Sequence, residues 1–182
     1  MGVDVPAHMV KRLPVGNLQH AAFAVSPDDR TIAVAIIDYA VTPHHLQVYT
    51  EDLGDSGNHR ELLTSSQRFE WPVAFIGTDL LMAVGPSGSQ SGCGDPYCAL
   101  YGYQLLKADG SVIRSLCAPA TAGGYGGSIG PINADGAMCE GAHYVVELWA
   151  GGQVVLPDVC AAPELYSPDR QLILCGGPGE RH

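Results

Sequence analysis

Six cysteines and seven histidines are the residues of this 182-residue chain with the widest chemical repertoire. Cys93 and Cys98 have four residues between them in Gly92-Cys93-Gly94-Asp95-Pro96-Tyr97-Cys98, a spacing that zinc sites use. No second Cys pair and no His pair repeats it, so a disulfide or two free thiols are favoured over zinc. A catalytic cysteine would need a base beside it, and nothing near either residue supplies one. No nucleophile elbow, phosphate loop or zinc-protease helix motif occurs. The glycine-rich run 123–128 has no Lys and no following helix to offer an N-terminus, so it reads as a connection between elements.

The elements that must position these residues are short and β-rich. Segments 21–25, 31–37, 46–49, 73–76, 80–84, 100–106, 112–116, 144–149, 153–156 and 171–175 read as strands, separated by Gly, Pro, Asp, Asn and Ser. Segment 58–68 has helical length but is rich in Ser and Thr, and a turn followed by a strand is the better reading. Hydrophobic residues make up 46% and charged ones 15%, enough for a packed core and contrary to disorder. Gly 23 and Pro 13 are scattered, which points to frequent turns.

The formal net charge of -10 repels phosphate backbones, excludes a nucleic-acid role and suits neutral or cationic partners and metal ions. No stretch reaches the roughly 18 apolar residues of a membrane span. Six cysteines imply an oxidising compartment, so an extracytoplasmic or secreted protein is expected, its signal absent from this chain.

A strand–turn–strand unit recurs. It runs from Phe23 through Ser26-Pro27-Asp28-Asp29 to Val34, from Val73 through Gly77-Thr78-Asp79 to Val84, more weakly from Ile129 to Cys139, and from Glu164 to Cys175. The turn aspartates Asp29, Asp79, Asp135 and Asp169 lie 50, 56 and 34 residues apart, intervals typical of propellers and other arrays. Two further strands follow each of the first three hairpins. The expectation is one all-β domain of three to four four-stranded antiparallel units, at about 17–67, 68–117, 118–159 and 160–182 with 1–16.

This register also organises the other cysteines. Cys117 and Cys160 precede the third and fourth hairpins, and Cys139 and Cys175 lie on their second strands. Equivalent placement in successive units suggests disulfides Cys117–Cys139 and Cys160–Cys175, leaving Cys93–Cys98 to staple its loop. Fifteen pairings of six cysteines are possible, and the others stay open.

The stretch Ser26-Pro27-Asp28-Asp29-Arg30-Thr31-Ile32-Ala33-Val34, then Leu46-Gln47-Val48-Tyr49, then Leu62-Leu63-Thr64 resembles one TolB-type β-propeller repeat. Ser167-Pro168-Asp169-Arg170 matches its hairpin alone. The resemblance is good in the first unit and loose in the second and third. It implies a β-propeller or partial propeller, and the family is too diverse to imply a substrate. Three whole units and half a fourth leave a strand edge that needs a partner. Either residues 5–15 join the last unit, or a symmetric dimer completes the ring.

In a propeller, the segments entering each first strand and the loops between second and third strands share the face around the central channel. The resemblance therefore puts Gln19, His20, Glu70, Trp71, Tyr125, Ser128 and Glu164 in one set there. The other set is Asp38, Tyr39, His44, His45, Asp95, Tyr97, Glu140 and His143. His20, Glu70 and Glu164 hold matching positions and would suit a divalent cation, Ca2+ or Zn2+, at one level of the channel. The alternative is that they cap strand ends and meet only water. His20, His44, His143, Glu70, Glu164, Trp71 and Tyr97 are the binding candidates, although Trp71 and Phe69 fit packing between units better than ligand stacking. Two functions follow. The favoured one is a non-catalytic module that presents a binding face to a small molecule or protein. The alternative is a metal-dependent hydrolase of lactones, esters or phosphotriesters, with its metal in the channel.

Overall fold

The computed structural model describes residues 11–54, 57–86, 102–117, 136–139, 145–156, 162–166 and 173–176. Among them there is no helix. Thirteen strands form antiparallel sheets. Sheet I contains β1 (Gln19–Val25), β2 (Thr31–Asp38), β3 (His45–Asp52) and β4 (Arg60–Ser65), in that order. Sheet II repeats the meander with β5 (Arg68–Ile76), β6 (Asp79–Pro86), β7 (Gly102–Leu106) and β8 (Val112–Leu116). Sheet III has the described strands β9 (Gly136–Cys139), β10 (Val145–Leu148) and β11 (Gln153–Val155), and β12 (Ala162–Tyr166) pairs with β13 (Ile173–Gly176). The segment in question between residues 58 and 68 forms β4, as its Ser/Thr content implies.

The period-2 pattern of each strand explains how the sheets stack. In β2, Thr-Ile-Ala-Val-Ala-Ile-Ile-Asp is apolar on both faces, because the strand is covered on both sides. Ala33, Ala35 and Ile37 point one way with Leu46 and Val48 of β3, and meet Leu80, Met82 and Leu106 of sheet II. Ile32 and Val34 point the other way with Tyr49, where Leu13 of the N-terminal segment packs on them. In β6 the same alternation splits the core. Leu80 and Met82 face sheet I, while Leu81 and Ala83 join Tyr103, Leu105, Leu116, Ala137, Cys139 and Trp149 on the side of sheet III. First strands β1 and β5 lie side by side.

The turns are set by side chains as well as by hydrophobic pattern. Ser26 Oγ donates to Asp28 Oδ1 at 2.7 Å and accepts from Thr31 N at 2.9 Å, while Asp28 also accepts from Arg30 N at 3.3 Å. These bonds, foremost that from Ser26, hold the exposed Asp28 carboxyl below its ordinary value. They close the β1–β2 turn with Asp29 at φ 57°, a conformation that Asp tolerates better than most residues. In sheet II the turn shrinks to Gly77-Thr78, with Gly77 at φ 64°. Gly102 at the start of β7 has a different cause: a Cβ there would stand 2.5 Å from Leu116 O and 2.8 Å from Cys117 O, so only glycine lets the end of β8 come so close.

Residues 11–16 form no strand. Lys11 instead ties this segment to sheet I: its Nζ lies 2.8 Å from Glu51 Oε1 and donates to Asp52 O at 2.8 Å, and His59 Nδ1 lies 3.2 Å from Glu51 Oε2. The Lys11 and Glu51 side chains are only about a tenth exposed. Burial acts to raise the Glu51 carboxyl, but the bonds and charges of Lys11 and His59 outweigh it and hold the group below its ordinary 4.5. The sign of the pH effect follows. A carboxyl depressed by folding stabilises the fold above its unfolded value, and that contribution is lost as pH falls below 4.5 and through the folded value. Glu51→Gln is therefore expected to destabilise the protein at pH 7 and to differ progressively less from wild type as the pH falls below 4.5. Urea denaturation of both proteins across that range checks this, and a stability difference independent of pH would refute it.

Candidate functional site

Strand polarity assigns the candidate residues to one end of the sheets. β1, β3, β5 and β7 start at this end, and β2, β6 and β8 finish there. Gln19 and His20 open β1, Asp38 closes β2, Tyr39 follows it, and His44 precedes His45 at the head of β3. Three rings meet here. The His20 and Tyr39 centroids are 5.3 Å apart with planes at 72°, and those of Tyr39 and His44 are 4.8 Å apart at 64°, both edge contacts. His20 is exposed, whereas Tyr39 and His44 are half-buried.

Backbone and side-chain bonds hold this corner. Tyr39 N donates to Leu18 O at 2.9 Å. His44 Nδ1 lies 3.1 Å from Val41 O, a bond that requires the proton on Nδ1. Asp38 accepts from Gln19 Nε2 at 3.0 Å and from Ala40 N at 2.8 Å. Those two bonds, the Gln19 one foremost, keep the half-buried Asp38 carboxyl below its ordinary value, so it stays anionic beside the rings at neutral pH. Because His44 lies in the loop and only His45 is on the strand, the two adjacent imidazoles are not bound to opposite sheet faces.

Glu70 and Trp71 occupy a different setting from that expected of residues preceding a strand. β5 begins at Arg68, so both sit within the ladder, where Glu70 pairs with Val84 and Trp71 with Ala83. Glu70 is 2% exposed while His20 is exposed, so the two differ in access to solvent. Trp71 packs against the cores on both sides of β6, a structural role. Glu164 lies in β12, at the register shift between Pro163 and Leu165, and its side chain is outside the described set. Tyr97, His143, Cys93, Cys98 and Cys160 also lie outside the described residues. Cys175 is paired through its backbone with Pro163.

The Cys117–Cys139 disulfide is present, with an S–S distance of 2.00 Å and a Cα–Cα distance of 4.9 Å. It joins the end of β8 to β9 and so cross-links sheets II and III. Glu147 stands beside it. On β10 Glu147 pairs with Ala137, and Val145 pairs with Cys139, so Glu147 shares with Cys139 the face that looks toward sheet II. Its Oε2 accepts from Cys117 N at 2.9 Å. One ligand atom from each of Cys117, Cys139 and Glu147 lies within 4.8 Å of the others, and among the described residues this is the group of three that could hold a metal. Sequence reasoning passed over Glu147. The available signal was a carboxylate in register with an inward-facing valine two residues before it. It also passed over Lys11, Glu51 and His59, and placed Tyr39 on the face without seeing it as the centre of the ring cluster.

At the opposite end of the sheets, a cavity of about 400 Å³ opens between the turns of sheets I and II, lined by Ser26, Asp28, Leu62, Phe75, Thr78 and Lys107 among others. Among the described residues no helix is long and apolar enough to cross a membrane. No family model, no curated protein and no solved structure matches the chain.

Proposed function

We propose that this chain is an extracytoplasmic, propeller-type binding module whose ligand face is the end of the sheets bearing His20, Tyr39 and His44. The ring cluster carries the reading. It draws one residue from a strand entry and two from the β2–β3 connection, the segments expected to build such a face, and it sets imidazole edges and a phenol beside an anionic Asp38. With a net charge of -10 the face suits a neutral or cationic ligand that can stack on rings. The disulfide between sheets is compatible with an oxidising compartment. Exposed Phe23, in register with Val34 on the face of sheet I away from sheet II, supports completion of the array by a second copy.

Ligand-observed NMR with a library of small aromatic and quaternary-ammonium fragments tests the reading. Hits are expected to weaken about tenfold or more in the Tyr39→Ala, His44→Ala double variant, since a desolvated cation–aromatic contact is worth about 2 kcal/mol. They should persist in Lys107→Ala, which alters the cavity at the far end. Hits lost only in Lys107→Ala would move the site to that cavity. Metal-stimulated turnover of lactones, esters or phosphotriesters would replace the module with an enzyme. A sedimenting species of 19.1 kDa would remove the second copy from the proposal.

A further inference from the structure

We infer that Cys117, Cys139 and Glu147 form a latent zinc site that opens when their disulfide is reduced. Two thiolates and a carboxylate make an S2O donor set, and a water would complete the tetrahedron that Zn2+ prefers. With Zn–S about 2.3 Å and Zn–O about 2.1 Å, ligand atoms in such a site stand roughly 3.6–3.8 Å apart. The present spread, within 4.8 Å, leaves a small adjustment, chiefly side-chain rotations that separate the two sulfurs.

The surroundings fit a metal. Cys117 and Cys139 are 4% and 7% exposed in the core between sheets II and III. Glu147 forms no ion pair among the described residues. Arg114, which also bridges the sheets, donates to Leu148 O at 3.0 Å and Trp149 O at 3.1 Å, and so leaves the carboxylate to Cys117 N. That bond fixes the carboxylate beside the sulfurs, as the outer partners of metal ligands do. Ligands from two sheets would let the ion take over the cross-link that reduction removes.

The chemistry balances. A dithiol reductant supplies two electrons and two protons, the S–S bond becomes two thiols, and the reductant becomes a cyclic disulfide. Zinc then forms two Zn–S bonds and one Zn–O bond, and the two thiol protons pass to solvent. The donor set selects zinc or another thiophilic divalent ion over Ca2+ or Mg2+.

The test uses the full chain with Cys93, Cys98, Cys160 and Cys175 changed to Ser, reduced with dithiothreitol, desalted without oxygen and titrated with Co2+. A one-to-one complex is expected, with thiolate-to-cobalt charge-transfer absorption, tetrahedral visible bands and displacement by Zn2+. The bands should vanish with a further Cys139→Ser. Affinity should fall at least about tenfold in Glu147→Gln, the loss that even outer-shell changes produce, while this variant keeps an acceptor for Cys117 N. Near-ultraviolet circular dichroism follows the fold. If reduction loosens it and Co2+ or Zn2+ restores it, the site is supported. No cobalt bands, bands indifferent to Cys139→Ser or Glu147→Gln, or a loosened fold that the metals leave unchanged would each overturn it.

Discussion

Leu81→Ala is expected to destabilise the protein by about 2–5 kcal/mol, the range for truncating a fully buried leucine. Leu81 is 0% exposed and lies on the face of β6 that packs toward Tyr103, Leu105, Leu116, Ala137 and Trp149. Those neighbours come from two sheets whose strands are each held in a ladder, so none can move alone to fill the space. Removing three carbons therefore costs their transfer out of water and leaves a cavity as well. Val112→Ala makes the contrast, because Val112 is 52% exposed on the edge strand β8 and should cost less than about 0.5 kcal/mol. Urea denaturation gives both values from the midpoints, provided that the slopes agree. A cost for Leu81→Ala below about 1 kcal/mol would show that the seam between sheets II and III is not closely packed in solution.

Changing Cys117 and Cys139 together to Ser is expected to cost about 3 kcal/mol. The bond closes a loop with a sequence separation of 22, and the chain-entropy relation assigns a loop of that size about 3.4 kcal/mol. For a chain of this length, Tm should fall by roughly 6–12 °C. The loss acts mainly through the unfolded chain, which becomes free to explore more conformations. Native contacts around the site should survive, including the bond from residue 117 N to Glu147. Thermal denaturation of the double variant under oxidising conditions measures the effect. Equal stability of variant and wild type would mean that the bond does not form in the purified protein.

The two substitutions report on the same seam by different routes, one through packing and the other through connectivity. Because Leu81, Cys117 and Cys139 share one cluster, their effects are expected to couple when combined. The sum of the single costs is then not the cost of the triple variant.

The all-β class was legible because it rests on local rules. Short continuous apolar runs in 31–37 and 80–84 and the Ser-Pro-Asp-Asp and Gly-Thr turns specify strands and reversals within a dozen residues. The Cys117–Cys139 bond was also legible, since equal placement in successive hairpins is a one-dimensional observation. Strand ends were less so: β5 reaches back to Arg68 because pairing with β6 extends past the apolar run, and this puts Glu70 and Trp71 inside the ladder. Only tertiary structure decided how charged and aromatic side chains group. Lys11 and Glu51 are 40 positions apart, Cys117 and Glu147 are 30, and His20 and Tyr39 meet through the register of β1 against β2. A polar side chain on a strand has the same local sequence whether it meets water, a cation or a sulfur. Its partner is chosen by sheet stacking and ladder register, which the apolar pattern sets without reference to the polar residues themselves.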